Sequence, residues 1–101
     1  MTFDWDEGNL SHIERHGVTA ELVETTKEWA MLKPPYVRNG EVRAVAVGRT
    51  RHGRLLAMVI TMRGDKVRVV TARYASEQER KWWHAENEKR QAGRGGDEGG
   101  S

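Results

Sequence analysis

The chain has 101 residues, a formal net charge of +2 and a mean hydropathy of −0.80, a size that supports one domain with its own core. It contains no cysteine, which excludes disulfides and thiolate metal sites and fits an intracellular compartment. The longest unbroken apolar run, Leu55 to Ile60, is far too short to span a bilayer, and the acidic start MTFDWDEG lacks the order of a secretory signal, so a cytoplasmic protein without membrane contact is expected.

Phe3-Asp4-Trp5 reads as a short extended lead-in. Asp6 is placed to N-cap a first helix from about Glu7 to His16, with Leu10 and Ile13 as its apolar stripe and Gly17 as its stop. Thr19 caps a second helix expected over about Ala20 to Trp29, with Leu22, Val23 and Trp29 facing inward. Pro34-Pro35 and Asn39-Gly40 punctuate the stretch between that helix and the first strand pattern.

Three strands come next, about Glu41–Arg49, Leu55–Arg63 and Lys66–Arg73, joined by turns at His52-Gly53 and Gly64-Asp65. Two-residue turns set Arg63 opposite Lys66, Thr61 opposite Arg68 and Val59 opposite Val70. They also set Val47 opposite Met58 and Val45 opposite Ile60. Alternation then places Val45, Val47, Leu56, Met58, Ile60, Met62, Val67 and Val69 on one bulky face, to be covered by helices. The other face is shallow, with Ala44, Ala46, Gly48, Ala57, Val59 and Thr61, and gathers Arg63, Lys66 and Arg68 at one end. Like charges set opposite one another repel, so such a cluster suits an anion held between its members.

A last helix opens at Ser76, where Ser76-Glu77-Gln78-Glu79 forms a capping box. Capping explains Glu79 sufficiently; a carboxylate placed for proton transfer is the functional alternative, and the two roles compete for the same oxygens. Trp82 is expected to dock on the sheet, leaving Trp83 for a partner-binding patch. From Gln91 the sequence is polar and glycine-rich, so 1–90 is expected to be a single domain and 91–101 a disordered tail.

Charge is unevenly distributed. Residues 1–35 hold three basic and seven acidic side chains, 36–75 nine and two, and 76–101 five and six. A central block of +7 is the footprint of a protein that meets phosphates, although a merely solvated face gives the same count. Within that block and just after it, the strand-to-helix joint carries Arg68, Arg73, Glu79 and Arg80. Arginine contacts phosphate bidentately and is always charged. His12 and His16 in HIERH share a helix face without the zinc-protease spacing, so metal binding is not expected and a base or phosphate contact is the alternative to a plain surface histidine.

FDWDEGN, RHGV at Arg15–Val18, GEVR at Gly40–Arg43, the Gly48 strand, MRG at Met62–Gly64 and RVVTARYASEQER at Arg68–Arg80 together resemble the BrnT family. The resemblance covers residues 3 to 83. It implies a RelE-like α+β fold: two N-terminal helices, an antiparallel sheet of three or more strands and a C-terminal helix. It further implies a ribonuclease toxin of a type II toxin–antitoxin module that inhibits translation and cleaves RNA without a metal or other cofactor. A BrnA-like ribbon-helix-helix antitoxin would neutralise it and alone contact operator DNA.

The family-pattern positions present are His16, Arg63, Arg68, Arg73, Glu79 and Arg80; His16, Arg63, Arg73, Glu79 and Arg80 are expected to be catalytic, with Arg49, Lys66 and Arg68 as RNA contacts. Arg49 stands where the family often has lysine, and Trp82-Trp83 where it often has tyrosine or phenylalanine. Metal-free cleavage uses the ribose 2′-OH as nucleophile, so the protein must supply a base, an acid and cations for the phosphorane. Arg63, Arg73 and Arg80 would stabilise charge, and Glu79 or His16 would be the base. A non-catalytic nucleic-acid-binding module using the same basic face is the alternative, as is a face occupied by an acidic protein partner.

Overall fold

The computed structural model describes residues 1–99, with side chains described through Gln91. Helices α1 (Glu7–Glu14) and α2 (Ala20–Glu24) precede four strands, β1 (Lys27–Arg38), β2 (Glu41–Arg49), β3 (Leu55–Arg63) and β4 (Lys66–Tyr74), and α3 (Glu77–Gly99) closes the chain. The strands form one antiparallel meander in the order β1-β2-β3-β4. This is an α+β architecture, and its sheet has one strand more than the three read from the sequence. No helix is long and apolar enough to cross a membrane among the described residues.

The N-terminal segment begins by extending the sheet. Phe3 bridges Val67 in parallel, with Asp4 N–H on the Val67 carbonyl at 2.9 Å and Val67 N–H on the Thr2 carbonyl at 2.8 Å. The edge of β4 is thus partly paired instead of open. Asp6 then caps α1, accepting the Asn9 amide while the Asn9 side chain accepts its own N–H, a reciprocal box. Asn9 is itself buried and donates from Nδ2 to the carbonyls of Asp4 and Val69, which bolts α1 to β4.

Helix α2 is shorter than the pattern predicted. Thr19 caps it as expected, but it stops at Glu24, and Trp29 belongs to a strand. Two adjacent threonines explain the stop. The Thr25 and Thr26 hydroxyls turn back onto the carbonyls of Leu22 and Val23 at 2.7 and 2.6 Å, the local bonding by which threonine competes with a continuing helix. The chain then enters β1 through Glu28, at a left-handed φ of 57°. Pro34 and Pro35 lie within β1, where the pairing with β2 is irregular. An edge strand tolerates them because only one side of it must donate.

The β3–β4 turn is the expected two-residue one: Arg63 pairs with Lys66 and Thr61 with Arg68. A bulge between Val59 and Ile60 then shifts the register, so Val59 faces Thr71 instead of Val70. The β2–β3 register also differs by one residue: Val45 faces Val59 and Val47 faces Ala57. The cause is the loop, five residues from Thr50 to Arg54, closed by the Thr50 amide on the Arg54 carbonyl at 2.7 Å and by the buried Thr50 hydroxyl, which accepts the Arg54 amide.

That slip moves Val45 and Val47 to the opposite face from the one expected. Two cores result. Ile13, Val18 and Val23 pack on Leu56, Met58, Val69 and Ala72 beneath α1 and α2. On the other face, Ala30, Val47, Leu55 and Ala57 meet Trp83 of α3. Both tryptophans dock on this face, so Trp83 is not the exposed patch residue that was expected. Trp83 is 2% exposed and donates from Nε1 to the Glu28 carbonyl at 2.9 Å, whereas Trp82 is only partly buried beside it. Helix α3 runs through Gly99 across most of the segment expected as a tail, and residues 100–101 lie outside the described residues.

Candidate nucleic-acid interface

Helix α1 lies along β4. Ile13 enters the core, while His12 of α1 and His16, in the turn just after the helix ends, line an open cleft with Val45, Ala57, Met58, Val59, Thr71 and Arg73. The cleft measures about 290 Å³, and the two imidazole centroids stand 6.1 Å apart. His12 also lines an adjoining cleft with Gly8, Asn9, Glu41, Arg43, Arg63, Arg68 and Val70. One helix face thus overlooks a run of arginines on the strands.

Arg73 is the most tightly organised of these. Its two terminal nitrogens reach the two oxygens of Glu79 at 2.6 and 2.9 Å, and Nη1 also donates to the Tyr74 carbonyl. Glu79 Oε1 at the same time accepts the Ser76 amide at 2.8 Å, and the Ser76 hydroxyl accepts the Glu79 amide. Capping and arginine binding therefore coexist on one carboxylate. The Arg73 guanidinium first, and the Ser76 amide after it, hold the Glu79 carboxyl at about 2. A group so weakly basic is a poor proton acceptor near neutrality, and the geometry gives Glu79 the position of a carboxylate that orients Arg73.

The other expected residues divide among different surroundings. Arg63 and Lys66 face each other beside the exposed turn, Arg63 lining the cleft below His12. Arg68, only 14% exposed in its side chain, is engaged by Asp4 at 3.5 Å and Asp6 at 2.9 Å. The Arg68 contact and the Asn9 amide hold Asp6 below the usual carboxylate range. This geometry makes Arg68 a clamp on the N-terminal segment. Arg49 sits at the far end of the sheet, paired with Glu28, in a shallow pocket with Thr25, Lys27, Thr50 and Arg51. Arg80 donates to the Ala75 carbonyl at 3.0 Å and lines a separate pocket with Arg54, Tyr74 and His84.

The expected convergence of Arg63, Lys66 and Arg68 with Arg73 and Arg80 on one pocket is thus replaced by a cleft of His12, His16 and Arg73 adjoining Arg43 and Arg63. Two of its members were not singled out as site residues. His12 was legible from its i, i+4 spacing to His16. Arg43 appeared only within the GEVR motif, with no role read for it, because its place in the cleft follows from the slipped β2–β3 register. Among the described residues, no three His, Cys, Asp or Glu side chains converge as a metal site.

A shallow groove over an antiparallel sheet, overhung by two imidazoles and bordered by Arg43, Arg63, Arg68 and Arg73, is the feature that defines this small α+β protein. The chain belongs to the BrnT family, ribonuclease toxins of type II toxin–antitoxin systems, whose family model matches residues 5–79. Membership implies ribonuclease activity, an RNA target and an antitoxin partner. No curated protein and no solved structure matches the chain.

Proposed function

We propose that this protein is a metal-independent endoribonuclease with a RelE-like arrangement, acting on RNA in the cytoplasm to inhibit translation. The observation that carries this reading is the grouping of His12, His16 and Arg73 in one cleft, with Arg73 aimed by a bidentate carboxylate. One imidazole takes the proton from the ribose 2′-OH as that oxygen attacks phosphorus. The other returns a proton to the 5′ oxygen as the P–O5′ bond breaks. Arg73 stabilises the charge gathered on the phosphorane, and Arg43 and Arg63, in the adjoining cleft toward the β3–β4 turn, hold flanking phosphates. Nucleophile and electrophile both belong to the RNA, so the products are a 2′,3′-cyclic phosphate and a 5′-OH.

A BrnA-like ribbon-helix-helix antitoxin neutralises the toxin, and operator DNA is contacted through that antitoxin alone. We further infer that residues 1–90 form the working domain. The test is incubation of the purified chain with naked RNA in EDTA, followed by end-group analysis. Cyclic-phosphate ends are expected, with His16→Ala and Arg73→Ala each lowering the rate by about 100-fold or more while remaining folded. RNA that is bound but never cut would replace this reading with a non-catalytic binding module. Full activity in both variants would remove these residues from the site.

A further inference from the structure

Arg80 was expected in the catalytic set, yet it stands apart, and its surroundings have a character of their own. The pocket of about 280 Å³ between the β2–β3 loop and the first turns of α3 is lined by Gly53, Arg54, Leu55, Tyr74, Ala75, Arg80 and His84. No acid lines it. The Arg54 guanidinium lies 3.9 Å above the centre of the Tyr74 ring, and Tyr74 is packed against the main core. Arg80 is directed inward by its bond to the Ala75 carbonyl, and His84 makes an edge-on contact with the buried Trp83. The backbone at Gly53 turns through a φ of +84° with no atom near its open side.

These two arginines differ from most of those on the strands in their ion pairing, a property they share with Arg63. Arg43, Arg49, Arg51, Arg68 and Arg73 each engage a carboxylate of the same chain. Among the described residues, Arg54 and Arg80 engage none: one rests on an aromatic face and the other on a backbone carbonyl. An incoming anion therefore displaces no internal ion pair here. A guanidinium stacked on tyrosine is also a platform on which a nucleobase stacks irrespective of its identity.

We propose that the Arg54–Tyr74–Arg80–His84 pocket is a second nucleotide site, where a base stacks on Arg54 and its phosphate is held by Arg80 and His84. The proposal rests on the RNA-directed reading of the cleft. Tyr74 directly follows Arg73, so a strand leaving the cleft past Arg73 rounds the end of the sheet into this pocket. The site binds RNA at a position removed from the scissile bond and favours substrates long enough to reach it. Arg80 is on this account a binding residue and not part of the charge stabilisation at the cut.

The experiment measures binding of a 2′-O-methylated single-stranded decanucleotide, which cannot be cleaved, to the full chain by fluorescence anisotropy. Arg54→Ala is expected to weaken binding about tenfold, and Arg54→Lys, which keeps charge but loses the plane, about fivefold. His84→Ala is expected to weaken it about threefold. A 2′-O-methylated dinucleotide, too short to span both sites, should not show the tenfold loss with Arg54→Ala. Circular dichroism and melting confirm that each variant is folded. Decanucleotide affinities within twofold of the parent in Arg54→Ala and His84→Ala overturn the proposal. So does a loss confined to antitoxin binding, which would assign the pocket to an acidic peptide. Uncut RNA in EDTA, with the Arg54-dependent affinity intact, removes the nuclease reading and leaves the pocket standing. Normal cutting without that dependence removes the pocket alone.

Discussion

Glu79 carries two structural duties on two oxygens, and its titration records both. A carboxyl held at about 2 by Arg73 and by the Ser76 amide is charged in the folded state over a wider range than in the unfolded chain. Because the folded value is the depressed one, its contribution is fully present above the ordinary value of about 4.5 and is lost as pH falls from there through about 2. Arg73 is about half exposed, so solvent screens the pair, and Glu79→Gln is expected to cost about 1–2 kcal/mol at neutral pH. The gap from the parent should close on titration from pH 5 to pH 2, as urea unfolding at each pH will measure. On the proposed mechanism Glu79 acts on catalysis only by aiming Arg73. The same variant should therefore lower the cleavage rate about tenfold and leave the shape of its pH profile unchanged, whereas His16→Ala should alter that shape.

Among the elements, β1 is the one whose placement the rest of the molecule decides. Its Trp29 lies over Gly48 of β2 and donates from Nε1 to the Thr26 hydroxyl at 2.7 Å. A Cβ at position 48 would stand 2.5 Å from the indole Cδ1 and 2.7 Å from its Nε1. Gly48 is thus required by an indole pressed onto its backbone, not by its dihedral angles. Gly48→Ala should destabilise the fold by about 2–3 kcal/mol, the cost of overpacking a filled site, and denaturant unfolding will read it. At the other end of the chain the acceptor for Trp83 is the carbonyl of Glu28, so α3 and β1 are fastened at the residue where β1 bends.

Over the whole molecule, a net charge of +2 conceals a basic central block and an acidic N-terminal one. The two blocks meet in part: Asp4 and Asp6 engage Arg68, and Glu21 and Glu28 approach Arg51 and Arg49. Among the described residues, only part of the +7 is therefore unpaired with an internal carboxylate, and Arg63 belongs to that part. Arg63→Ala should weaken binding of the decanucleotide and make the slope of log K against log salt about 0.7 shallower, the value for one phosphate contact on a single strand. Arg68→Ala should leave that slope as it is and instead expose the N-terminal segment. An equal change of slope in both variants would contradict the division made between them.

The α+β class, the capped starts of all three helices, the Gly64-Asp65 turn and the pairing of Arg63 with Lys66 were legible in the sequence. Each depends on neighbours within a few residues: an N-cap oxygen reaches two or three positions along the chain, and a two-residue turn dictates the pairs beside it. Tertiary structure decided the rest. Whether β2 and β3 pair in one register or the next rests on a five-residue loop and on which side chains the helices can cover. That choice moved Val45 and Val47 across the sheet and brought Arg43 into the cleft. Arg68, Arg73 and Arg80 look alike along β4 and α3, but Asp6 claims the first, Glu79 aims the second and Tyr74 with Arg54 frames the third. Charge count is a property of composition, whereas which charge is free to meet a ligand depends on what folding sets beside it.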